Sequence, residues 1–71
     1  MNHTKSEGQL KLTERQRQIV HELAEGITNK EIGRRLGLAE GTVKVQLNRI
    51  YRKLGIANRT VLAVMAHRRS Y

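Results

Sequence analysis

Aliphatic residues recur along the chain in four clusters, each at helical spacing and each bounded by a capping residue or a glycine. Apolar side chains at 19, 20, 23 and 24 form one helical face. Thr13-Glu14-Arg15-Gln16 before them is a capping box, in which the Thr13 hydroxyl and the Gln16 side chain each satisfy a backbone amide of the other. This predicts a first helix over about 14–25, stopped by Gly26. Thr28-Asn29-Lys30-Glu31 repeats the capping pattern, with Ile27 and Ile32 placed as a hydrophobic staple. Ile32 and Leu36 supply a short apolar stripe and Gly37 a left-handed stop, which predicts a two-turn second helix over about 29–36. Val43, Leu47, Ile50 and Leu54 define a third helix over about 40–54, ended by Gly55; Asn58 caps a fourth over about 59–68.

The expected fold is therefore all-α: a compact four-helix domain over 12–68, with loose tails or a linker at 1–11 and a tail at 69–71. A two-turn helix, a short turn containing glycine and a longer helix make up the spacing of a helix-turn-helix. On a wheel of about 100° per residue, Leu47, Ile50 and Leu54 fall within about 40° of Val43 and mark the buried side of the third helix. Lys44, Val45, Asn48, Arg49 and Arg52 face the other way, and Gln46 and Lys53 flank the seam. The fourth helix, Val61-Leu62-Ala63-Val64-Met65-Ala66, is apolar nearly all round, more than one core can use.

Charge sharpens this picture. Lys and Arg number 14 against 6 acidic residues, a formal +8. All six acids are glutamates within residues 1–40, where seven basic residues nearly balance them; residues 41–71 hold seven basic residues and no acid. A one-sided basic block on a small fold points to a polyanion, duplex nucleic acid ahead of an anionic membrane. With only Tyr51 and Tyr71 as aromatics, the chain is poorly equipped to stack single-stranded bases. The absence of cysteine and aspartate removes disulfides, thiolate chemistry and any aspartyl phosphoacceptor. No apolar run nears the ~18 residues of a membrane span, and polar Met1 to Lys11 do not read as a secretory signal. His3, His21 and His67 share no metal spacing, Ser6 and Ser70 sit in the tails, and no enzyme, metal, cofactor or small-molecule ligand is expected.

The outward side chains of the third helix suit a major groove. Lysine donates to guanine, asparagine pairs with adenine, and a small apolar group packs on a thymine methyl, which singles out Lys44, Val45 and Asn48 for base edges. Gln46, Arg49, Arg52 and Lys53 are placed for phosphates. Thr28, Asn29 and Lys30, at the amino end of the second helix, combine free amides with a cation as a phosphate clamp. Taken singly, outward Lys and Arg are more often solvated surface than ligand contacts; their grouping on one face of an acid-free half favours DNA.

The runs Leu12-Thr13-Glu14-Arg15-Gln16, Leu23-Ala24-Glu25-Gly26, Asn29-Lys30-Glu31-Ile32, Leu36-Gly37, Glu40-Gly41-Thr42-Val43-Lys44-Val45 and Lys53-Leu54-Gly55-Ile56-Ala57-Asn58-Arg59-Thr60 resemble the LuxR/FixJ-type (GerE-like) DNA-binding domain across residues 12–66. The resemblance implies a bacterial, cytoplasmic transcriptional regulator whose partners are double-stranded DNA and RNA polymerase. It places Lys44, Val45 and Asn48 on bases and Lys30, Thr42 and Gln46 on phosphates. It also implies a weak homodimer on DNA through the fourth helix, with Val61, Leu62, Met65 and Ala66 as the interface. Three positions depart from the family pattern: Ala39 where a serine N-cap is usual, Gln16 for glutamate, and Gln46 for histidine. The chain reads equally as an excised effector domain of a response regulator and as a stand-alone regulator. A sigma-factor-like promoter reader and a protein-interaction module acting through residues 59–68 are the competing readings.

Overall fold

The computed structural model describes residues 12–69, which form α1 (Glu14–Ala24), α2 (Asn29–Leu36), α3 (Glu40–Leu54) and α4 (Arg59–Arg68). The expectations for the tails at 1–11 and 70–71, including His3, Ser6 and Ser70, lie outside the described residues; Arg69 is the left-handed C-cap of α4. The predicted spans of the second, third and fourth helices coincide with α2, α3 and α4. The first ends one residue early, with Glu25 as C-cap, because the Glu25 amide already bonds back to the Glu22 carbonyl and the Gly26 amide to the Leu23 carbonyl in a closing turn.

Local capping chemistry accounts for three of the four helix starts. The Thr13 hydroxyl accepts from the Gln16 amide at 3.1 Å, and the Gln16 side chain accepts from the Thr13 amide at 3.0 Å, completing the box. Thr28 accepts from the Glu31 amide at 3.1 Å. The second half of that predicted box does not form, because the Glu31 carboxylate turns to Arg34 and Arg35 at 3.6 and 3.5 Å, where two cations outbid a backbone amide. Asn58 caps α4 through the Val61 amide at 2.9 Å. Ala39 stands at the N-cap of α3 with no side-chain bond to offer.

α1 is the hub. It packs on each of the other helices, most extensively on α4, while α2 and α3 pack on each other as the helix-turn-helix. The core comprises Leu12, Ile19, Val20, Leu23, Ile32, Val43, Leu47, Ile50 and Leu62. Gly33 fixes the closeness of the turn between α2 and α3. The Leu38 amide donates to the Gly33 carbonyl at 2.8 Å, and a Cβ on Gly33 would overlap the Leu38 carbonyl oxygen. Gly37 ends α2 at φ 74°, a conformation that favours a residue without Cβ. Glu22 bonds Arg35 at 2.8 Å, bracing α1 against α2, and this hydrogen bond raises the pKa of the Arg35 guanidinium further. Arg15 donates to the Leu36 carbonyl at 3.2 Å, satisfying an orphan acceptor at the carboxyl end of α2.

Candidate nucleic-acid interface

The two sides of α3 separate as its periodicity predicts. Val43, Leu47 and Ile50 are buried, and Leu54 is packed partly against the same core. Lys44, Val45, Asn48, Arg49 and Arg52 are all exposed, as is Thr42 in the first turn. Val45 is 49 % exposed, an aliphatic group held in water among cations and an amide. Among the described residues, Lys44, Arg49 and Arg52 form no ion pair with an acid, whereas Arg34 and Arg35 of α2 are matched by Glu22 and Glu31. The outward face of α3 therefore keeps its positive field undiminished.

The flanking residues are tied into the fold. Gln16, 3 % exposed and polar among aliphatic core residues, accepts from Lys53 Nζ at 2.8 Å and donates through Nε2 to Gln46 Oε1 at 3.2 Å. Gln46 and Lys53 are consequently half-buried, with their ends held at the edge of the exposed face. Sequence reasoning gave Gln16 only its capping role. The further signal lay in its phase: position 16 continues the apolar stripe of 19, 20 and 23 backwards, where a polar side chain is buried and requires partners.

At the amino end of α2, Thr28 and Lys30 are exposed and Asn29 is half-buried. The Arg59 guanidinium donates to Asn29 Oδ1 and to the Ile27 carbonyl, each at 2.6 Å, fastening the start of α4 to the start of α2. Sequence reasoning missed this clamp as well. A cation in the first turn of a helix opposes the helix dipole, and that mismatch is the sign that Arg59 serves another element.

The expected interface on α4 requires one correction. Leu62 is 0 % exposed and belongs to the core, so its side chain has no surface to give a second chain. Ala66 also leans on the core. The exposed aliphatic groups of this helix are Val61 and Val64, at 40 % and 46 %, with Met65 half-buried beside them. Among the described residues no group of His, Cys, Asp or Glu side chains could hold a metal ion, and no helix is long and apolar enough to cross a membrane.

Comparison with known proteins agrees with this geometry. The chain is 52 % identical over 54 residues to a putative helix-turn-helix transcriptional regulator, YhjB, of Escherichia coli, covering 76 % of this chain and 27 % of that protein. It is 41 % identical over 54 residues to the nitrate/nitrite response regulator NarP of E. coli, covering 76 % and 25 %. To the DNA-binding transcriptional activator DevR/DosR of Mycobacterium tuberculosis it is 47 % identical over 55 residues, covering 78 % and 25 %. The chain thus spans about a quarter of the length of these relatives. The GerE family model, for bacterial regulatory proteins of the luxR family, matches residues 10–66. With a buried seam, a cationic outer face and this match over most of its length, the chain belongs to the luxR family of bacterial regulatory proteins.

Proposed function

We propose that this chain binds double-stranded DNA sequence-specifically and thereby regulates transcription, with α3 lying in the major groove. The observation that carries the proposal is the composition of the exposed face of α3: unpaired cations, an amide and a half-exposed valine on a helix whose opposite side is clamped in the core. Lys44, Val45 and Asn48 in the first half of α3 read base edges, by donation to guanine, contact with a thymine methyl and paired bonds to adenine. Arg49 and Arg52 follow the backbone as the groove curves away, with Thr42, Gln46 and Lys53 beside them. The amino end of α2 brings Thr28, Asn29 and Lys30 to the phosphates, where backbone amides and the helix dipole favour an anion. Kinship with regulators named as DNA-binding or as response regulators supports the same reading.

Two copies meet on DNA through the exposed aliphatic side of α4, Val61 and Val64 with Met65, in a weak twofold contact. Half-sites then lie about one helical turn apart. Selection from randomised duplexes, followed by amide-shift titration with the enriched sequence, tests the whole reading. Shifts concentrated on α3 and on the start of α2, with a symmetric enriched site, are expected. Shifts confined to α4 and the α1 surface would overturn it.

A further inference from the structure

Hydrogen-bond direction at Gln16 constrains what Gln46 can offer. Gln16 Oε1 receives two groups that only donate: the Thr13 backbone amide at 3.0 Å and the Lys53 ammonium at 2.8 Å. Turning the Gln16 carboxamide over would set its NH₂ against both donors, so Oε1 is fixed toward them and Nε2 toward α3. That Nε2 donates to Gln46 Oε1 at 3.2 Å. Turning Gln46 over would then set NH₂ against NH₂. The oxygen of Gln46 is therefore held inward, and its NH₂ group is the end left over. Among the described residues no buried side-chain nitrogen or oxygen lacks a partner, so this NH₂, which has no bond within the fold, reaches solvent. It does so on the flank of the exposed face of α3.

We infer that Gln16 is a positioning residue for DNA binding: the Thr13–Gln16–Gln46 chain of bonds, joined by Lys53, points the Gln46 carboxamide with its two N–H donors toward a phosphate and its acceptor away from it. This rests on the proposed reading that Gln46 approaches the backbone. The same polarity recurs at the other end of the interface. Arg59 occupies Asn29 Oδ1 at 2.6 Å, which leaves the NH₂ of Asn29 as its remaining group beside Thr28 and Lys30. At both places an obligate donor inside the fold consumes the amide oxygen, so a side chain able to attract or repel a phosphate is set to attract it.

The test is Gln16→Glu. A carboxylate still accepts from Thr13 and Lys53, so the cap and the fold are retained, but it has no donor for Gln46. Gln46 then turns its NH₂ inward to the carboxylate and its oxygen outward. In the free full-length chain, the side-chain NH₂ resonances of Gln46 should move downfield in Gln16→Glu. On a duplex recovered from the selection above, Gln16→Glu should weaken binding about tenfold, as should Gln46→Ala, the scale of one hydrogen bond to a charged group. Introduced into Gln46→Ala, the same Gln16→Glu change should lower affinity no more than about twofold, a residue of long-range charge. Unmoved Gln46 resonances, or losses that multiply in the double variant, overturn the inference while leaving the interface intact. Should Gln46→Ala bind as well as the parent while Lys44→Ala is impaired, Gln46 is off the backbone and the inference falls alone. Should Lys44→Ala also bind unchanged, the placement of α3 on DNA falls with it.

Discussion

α3 and α4 are both helices with more exposed surface than the core requires, yet they spend it differently. α3 buries a narrow seam of Val43, Leu47 and Ile50 and turns Lys44, Asn48, Arg49 and Arg52 to solvent. α4 buries Leu62 and turns Val61 and Val64 to solvent. A cationic face gains most from a polyanion, through counterion release, whereas an aliphatic face gains from removing water against another apolar surface. The partner proposed for each helix thus follows from its outer face, while the inner faces are chemically alike. The distinction also lets a domain so small carry both of the interfaces proposed for it without conflict.

The sharpest way to separate inner from outer is Leu62→Ala, which empties a fully enclosed site and should cost about 3 kcal/mol by urea unfolding. A loss below about 0.5 kcal/mol would mean that α4 is not clamped by α1. On the outer side of α3, Lys44→Ala and Asn48→Ala should each cost about 1–3 kcal/mol on the preferred duplex and much less on random sequence. Equal losses on both duplexes would turn these residues into phosphate contacts and blur the contrast with Arg49 and Arg52.

A smaller effect tests how firmly α3 is held at its start. Ala39→Ser supplies the missing cap and should add about 1 kcal/mol, seen as a rise of about 4–8 °C in Tm. An unchanged midpoint would place the first turn of α3 under tertiary rather than capping control. Least of all, Val64→Glu should alter monomer stability by less than about 0.5 kcal/mol while removing cooperative occupation of paired half-sites. Cooperativity that survives this change would leave the outer side of α4 without the partner proposed for it.

The helix boundaries were legible because their causes are local. Thr13, Thr28 and Asn58 each bond an amide three residues on, and Gly37 and Gly55 adopt the left-handed stop within the same short window. The two sides of α3 were legible for a related reason: its aliphatic seam is narrow enough for periodicity alone to orient the helix. On α4 the periodic signal is nearly flat, so spacing could not separate buried Leu62 from exposed Val61, and the family resemblance placed both in the interface.

Sequence by itself determined four helices, three of them started by a capping side chain, a helix-turn-helix and a positively charged second half, since each follows from spacing, capping chemistry or a count of charges. Tertiary structure decided which aliphatic groups of α4 face inward, because α1 supplies the surface that selects them. It also decided what the polar groups were free to do. Gln16 finds Gln46 and Lys53 at separations of 30 and 37 residues, and Arg59 finds Asn29 at 30. A hydrogen bond over three residues is available to any helix that forms; one over thirty exists only after the core has brought two helices together.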